Sequence, residues 1–149
     1  MTVRPTGVIP PMTTPFGNDG EIDFKLVGAQ MEWMIGAGCH GVAAGGSTGE
    51  GHTLDHEEYR DLMAATVDAA KGRIPVIAGI IVDSTRDAIR RGRLVRDMNV
   101  AALQVTPVHY LSSRTTRRWS RISTAWRTKP ACRSSSTMSC PGPISRPRC

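Results

Sequence analysis

Four short apolar runs, each separated from the next by a stretch of helical spacing, set the narrowest limit on what this chain can fold into. They lie at Gly7–Met12, Gly41–Ala44, Val76–Val82 and Ala101–Thr106. The third, Val76-Ile77-Ala78-Gly79-Ile80-Ile81-Val82, is apolar except for its glycine. A strand of that composition belongs in a parallel sheet covered on both faces. Strand–helix alternation requires parallel strands joined by helical crossovers, so the order is βαβαβαβ. An open doubly wound sheet and a (β/α)8 barrel both satisfy it.

The helices carry their own boundary signals. Asp23 can cap a helix from Phe24 to about Ala37, with Val27, Met31, Met34 and Ile35 at helical spacing and Gly36 and Gly38 as a stop. Asp55 and Glu58 stand at capping-box spacing, predicting a helix to about Ala70 that buries Leu62, Met63, Thr66 and Val67. Ser84 and Asp87 repeat the pattern for a helix to about Met98, whose Arg86, Arg90, Arg93 and Arg96 read as a solvated face. Pro10 and Pro11 cannot donate ladder bonds, so the first strand should be irregular at that end. Gly36-Ala37-Gly38-Cys39-His40-Gly41 matches a dinucleotide-binding spacing but follows a helix and precedes a strand, the reverse of the required order. It is set aside.

After the strand at Gly41–Ala44 the chain breaks into Gly45-Gly46-Ser47-Thr48-Gly49-Glu50-Gly51. Glycines there allow sharp turning and close approach to a ligand. Successive N–H groups before a helix suit a small anion such as a carboxylate, and the Ser47 and Thr48 hydroxyls add adjustable donors. A tight turn with no ligand fits the same residues. The Gly-Lys-Ser/Thr ending of a P-loop is missing.

With that loop placed, residues 7–111 resemble the first part of the dihydrodipicolinate synthase / N-acetylneuraminate lyase family. The resemblance rests on Pro11-Met12-Thr13-Thr14-Pro15-Phe16, Gly46-Ser47-Thr48-Gly49-Glu50, Leu54-Asp55-His56-Glu57-Glu58, Pro75-Val76-Ile77-Ala78-Gly79 and Val105-Thr106-Pro107, five segments in register. It implies a (β/α)8 barrel, usually a homotetramer, acting on pyruvate or another 2-keto acid as a class I aldolase-type lyase or synthase. No metal and no organic cofactor is implied. In this family a sixth-strand lysine forms a Schiff base with the keto carbon, and a fifth-strand tyrosine is the main acid/base. By the same resemblance Ser47 and Thr48 hold the carboxylate, Thr48 joins the proton relay, and Thr13 lies beside them in the substrate site. Tyr110 corresponds to a tyrosine that reaches a neighbouring subunit's site, although Val108-His109-Tyr110 departs from the commoner Tyr-Tyr pair.

Charge divides the chain sharply. Residues 1–111 hold all 13 acidic and 10 of the 19 basic residues, a net of −3; residues 112–149 hold the other 9 basic residues and no acid, a net of +9. The tail has nine serines and four prolines, and Ile122 and Ile144 are its whole Leu/Ile/Val/Phe content, too little apolar surface to offset ordering. With Trp119 and Trp126 it could bind nucleic acid through phosphate contacts and stacking. A frameshift accounts for it better. Arg, Ser, Thr and Pro are commonly encoded CGN, TCN, ACN and CCN. Read one base earlier, Ser134-Ser135-Ser136 becomes three aliphatic or Phe residues, and Thr137-Met138-Ser139 allows Tyr-Asn-Val, with a proline allowed at Pro141. That approaches the family's fifth-strand Tyr-Asn-x-Pro, with one extra residue before the proline.

The expected organisation is therefore a truncated N-terminal half of a TIM barrel over 1–111 and a disordered, frameshifted tail over 112–149. Such a chain has four of eight strands and no Schiff-base lysine: Lys25 and Lys71 fall at helix ends and Lys129 in the tail. It is expected to be inactive, not to assemble as the family does, and to bind no nucleic acid. No apolar run spans a bilayer and no leader is evident, so the body reads as cytoplasmic. Cys39 reads as a small buried residue, and the spacing of Cys132, Cys140 and Cys149 fits neither zinc nor a disulfide framework.

Overall fold

The computed structural model describes residues 5–106. Tyr110, Lys129 and the basic tail lie outside the described residues. Helix α1 spans Phe24–Gly36, strand β1 Val42–Ala44, α2 His56–Ala70, β2 Val76–Ile80, α3 Thr85–Val95 and β3 Ala102–Val105.

The caps form as their residue types dictate. The Asp23 carboxylate accepts from the N–H groups of Lys25 and Leu26 at 2.9 and 3.1 Å. At α2 the box closes both ways: Asp55 accepts from Glu57 and Glu58, and the Glu58 carboxylate accepts from the Asp55 N–H at 2.6 Å. The Glu58 and Glu57 amides favour the ionised Asp55 and hold its carboxyl below the ordinary range. Ser84 caps α3 by accepting from the Asp87 N–H, and the Asp87 carboxylate accepts in return from the Ser84 hydroxyl at 2.6 Å. Helix α3 stops at Val95, three residues short of the expected Met98, where the Arg96 and Met98 amides turn back to Arg93 and Val95.

Among the described residues the three strands are parallel in the order β1-β2-β3, with Val42 opposite Val76 and Ile77 opposite Ala102. The first expected strand is reduced to one parallel bridge, Pro11 to Ala43, flanked by the Met12 N–H on Ala43 O and the Ala43 N–H on Pro10 O. Pro10 and Pro11 have no N–H to extend it. The segments thus lie side by side in chain order with no reversal, the order of a barrel wall; a doubly wound sheet reverses at its switch point. Right-handed crossovers without reversal put every helix on the same side of the sheet. Helix α2 packs between α1 and α3 and supplies Tyr59, Leu62, Met63 and Thr66 to the core, while α1 supplies Val27, Met31 and Met34. Ile35, Val67 and Cys39, expected inside, are half-buried at its margin. Among the described residues, no helix is long and apolar enough to cross a membrane.

Candidate functional site

Parallel pairing fixes which ends of the strands meet. Because Pro11 pairs with Ala43 and Ala44 with Ala78, the residues after Met12, Ala44 and Gly79 emerge at the same, C-terminal edge of the sheet. The Gly45–Gly51 loop crosses that edge. Gly45 turns at φ +69°, with the Tyr59 ring so near that a Cβ there would lie 2.8 Å from Cε2. The loop then presses on β2, where a Cβ on Gly79 would stand 2.6 Å from the Gly46 nitrogen. It closes through the Gly51 N–H on Gly46 O at 2.9 Å. Glu50 takes a left-handed φ of +51°, held by its carbonyl accepting both the N–H and the hydroxyl of Thr53 at 2.9 and 2.8 Å. A non-glycine residue persists there only when its surroundings over-determine it.

Ser47 and Thr48 sit at the outer turn of this loop, exposed, and their hydroxyls make no hydrogen bond among the described residues. Thr13 follows the bridged segment at the same edge, but its hydroxyl accepts from Gln30 Nε2 of α1 at 2.7 Å. The neighbouring Thr14 makes the contact to the loop: it is buried, and its hydroxyl donates to Gly49 O at 2.6 Å. Sequence reading selected Thr13 and passed over Thr14. The alternation of side chains along an extended segment sends the two hydroxyls opposite ways, one to α1 and one to the loop. Replacing Thr14 by Val, which keeps the shape and removes the donor, should destabilise the chain by about 1–3 kcal/mol because Gly49 O is left buried and unpaired. Denaturant midpoints of the two proteins measure it, and equal midpoints would dismiss the bond.

Two further residues close the back of the loop. Tyr59 is fully buried and donates its hydroxyl to Gly79 O at 2.9 Å, and burial pushes its phenol well above the ordinary value. Arg91 is 4% exposed; its guanidinium donates through Nη1 to Gly51 O and through Nη2 to Leu54 O. Its carbon stands 4.8 Å from the centre of the Tyr59 ring, within cation–π range. Burial disfavours the charged form of Arg91, while Tyr59, Asp87 and Asp55 favour it. No signal in the sequence read alone marked Tyr59. Arg91 had one: it lies three residues after Ala88 and four before Val95, on the face opposite Arg86, Arg90, Arg93 and Arg96. Those four arginines are exposed, as expected. Among the described residues no group of three or more His, Cys, Asp or Glu side chains gathers in a metal-binding cluster.

The sequence model of the Dihydrodipicolinate synthetase family matches residues 4–117. This chain belongs to that family. The match passes Leu111, the last residue of the resemblance read from motifs, by six positions. Among family members, the 4-hydroxy-tetrahydrodipicolinate synthase of Ruegeria pomeroyi is 43% identical over 104 residues, 69% of this chain and 36% of that enzyme. The synthase of Methanosphaerula palustris is 37% identical over 106 residues, with the same 36% of its length covered. The chain therefore spans about a third of the curated relatives it matches. Solved family folds superpose closely. The chloride-inhibited dihydrodipicolinate synthase of Acinetobacter baumannii complexed with pyruvate gives a TM-score of 0.77 at 28% identity, over 85% of this chain and 44% of that one. The N-acetylneuraminate lyase of Mycoplasma synoviae gives 0.73 at 27% identity, over 80% and 43%. These structures are TIM barrels, in agreement with the unreversed strand order.

Proposed function

We propose that this chain carries the carboxylate-holding part of a Schiff-base lyase or synthase for pyruvate or a related 2-keto acid. The observation that carries the reading is the pair of exposed, unengaged hydroxyls on Ser47 and Thr48, set on a glycine loop at the C-terminal edge of the parallel sheet. Barrel enzymes build their sites at that edge. A structural relative was crystallised with pyruvate, the simplest 2-keto acid, which also supports it. In this reading the Ser47 and Thr48 hydroxyls and the loop N–H groups hold the carboxylate, and Thr48 passes a proton. Thr13 borders the site and Tyr110 would serve a neighbouring subunit. The family's metal-free, cofactor-free chemistry is carried over with these roles.

The nucleophile is another matter. Lys25 stands in the first turn of α1 and Lys71 caps the end of α2, both exposed and neither on a strand. A lysine becomes a nucleophile toward a ketone by being desolvated beside the bound keto carbon, and an exposed helix end provides neither condition. In this reading neither described lysine forms the imine, and residues 1–111 act as a half barrel that binds the keto acid, followed by an out-of-frame tail.

Titrating the full chain with pyruvate should shift the backbone resonances of Gly46 through Gly49, weakly and saturably, and the Ser47→Ala/Thr48→Val double variant should lose the shift. Borohydride added to the same mixture should leave the mass unchanged. An adduct on Lys25, Lys71 or Lys129 would refute the inactive reading. A saturable shift that survives in the double variant would refute the assignment of the carboxylate to these hydroxyls.

A further inference from the structure

We propose that Arg91 is the positioning residue of the Ser47–Thr48 loop, acting from helix α3 on a site it does not touch. This rests on the carboxylate-site reading above and extends it to how the loop is held. The loop leaves β1 at Gly45 and must return to α2 at Asp55, and between them two carbonyls, Gly51 O and Leu54 O, point into the protein toward α3. Gly51 and Leu54 are both buried, so water cannot serve these acceptors. A planar guanidinium presents two parallel donors and satisfies both at once; an ammonium on a flexible stem acts as one point charge. Arg91 therefore staples the return limb of the loop at two points spaced three residues apart.

The second support comes from Tyr59. Its ring lies under the Arg91 guanidinium and against Gly45, and its hydroxyl is tied to Gly79 O of β2. The exit limb and the return limb thus rest on one connected stack, from β2 through the Tyr59 ring to Arg91. With Gly45 on one side and Gly51 on the other held from behind, the turn carrying Ser47 and Thr48 has both of its ends fixed. Its own closure is the Gly51 N–H on Gly46 O, and the next peptide along the chain presents Gly51 O to the Arg91 clamp. The stack also places a formal positive charge beneath a loop whose front is proposed to take a carboxylate. Arg91 Nε has no hydrogen-bond partner among the described residues, so the side chain is held by its two terminal nitrogens and the ring beneath it.

Arg91→Lys keeps the charge and the aliphatic stem but cannot reach two carbonyls in a plane; Arg91→Met keeps the stem alone. Both are compared with the unaltered full chain by amide hydrogen exchange and pyruvate titration. Exchange at Gly46–Leu54 should rise at least tenfold in both variants, while the amides of β1, β2 and α2 stay protected. Pyruvate affinity should fall about tenfold in Arg91→Lys and further in Arg91→Met, where the charge is gone too. Arg90→Met, which removes an exposed arginine from the same helix, should change neither. The proposal is overturned if a folded Arg91→Lys protein keeps the loop protection of the parent, or if protection falls equally across the whole sheet. Should Arg91→Met fail to fold, the lysine variant decides alone. Should the unaltered chain show no response to pyruvate, the carboxylate reading fails, and the exchange measurement still decides the clamp.

Discussion

Gly51→Ala should unfold the loop and destabilise the whole chain by ~3 kcal/mol, the upper end of what overpacking a dense interior usually costs. A Cβ on Gly51 would stand 1.9 Å from Gly45 O and 2.6 Å from the Gly45 carbonyl carbon. Both are backbone atoms, so no side chain can rotate out of the way. The peptide of Gly45 would have to move, and it is confined by the Tyr59 ring on one side and by β2 at Gly79 on the other. Moving it also breaks the Gly51 N–H bond to Gly46 O and lifts Gly51 O from Arg91. Gly46→Ala in the same loop is the control, since a Cβ there would meet nothing within 4 Å. Its effect should stay within about 1 kcal/mol, in either direction. Urea midpoints of the two variants separate the alternatives. If they shift alike, the close packing of the loop is not what sets the stability of this edge.

That contrast also explains what could and could not be read from the sequence. Capping is a local matter, decided by residues three apart, and Asp23, Asp55 with Glu58, and Ser84 with Asp87 all cap where their spacing said they would. The four strand positions were legible because long apolar runs in a parallel sheet need no alternation, and the weakness of the first was legible from its two prolines. The choice between doubly wound sheet and barrel wall was not legible in the strand–helix pattern, because strand order is set by which crossovers pack side by side; the family motifs implied the barrel, and the unreversed pairing agrees with it. Thr14 and Arg91 escaped for the same reason: their partners lie 35 and 40 residues away, across contacts that no local spacing encodes. The helical period would have put Arg91 on the inner face, yet a buried arginine runs against the usual exposure of that residue. Its two carbonyl acceptors are what make the position tolerable. In the loop itself, the hydroxyl pair and the glycines were legible; why each glycine is needed was not. Gly45 serves for φ and for the approach of the Tyr59 ring, Gly49 and Gly51 for contact distance, as Gly79 does from β2, and Gly46 for neither.

Reading the gene one base out of frame beyond the Leu111 codon should restore the strands and the lysine that the proposed frameshift removes, with a larger functional change than any substitution above. The repaired protein, treated with pyruvate and borohydride, should gain the mass of one reduced pyruvate on a single lysine, where the unrepaired chain gains none. The reason is chemical. Carbon–carbon bond making or breaking next to a keto group needs an electron sink, and a protonated imine is far better than the ketone at neutral pH. Its lysine has to be deprotonated in the free site, which requires desolvation to lower a pKa of about 10.4. Neither Lys25 nor Lys71, exposed at helix ends, is desolvated or stands on a strand. A lysine on a later strand of a complete barrel, a fold of about 250 residues, would be desolvated. It would stand at the edge where the Thr14 bond and Arg91 hold the Gly45–Gly51 loop, the proposed carboxylate site. The shifted frame should therefore encode Tyr-Asn near position 137, on a strand, and then a strand bearing the lysine. An early stop in that frame, or a repaired protein that takes up no pyruvate, would overturn the account of residues 112–149. Their nine positive charges and no acid would then favour a nucleic-acid contact, and retention of RNA by the full chain, lost on deleting residues 112–149, would establish it.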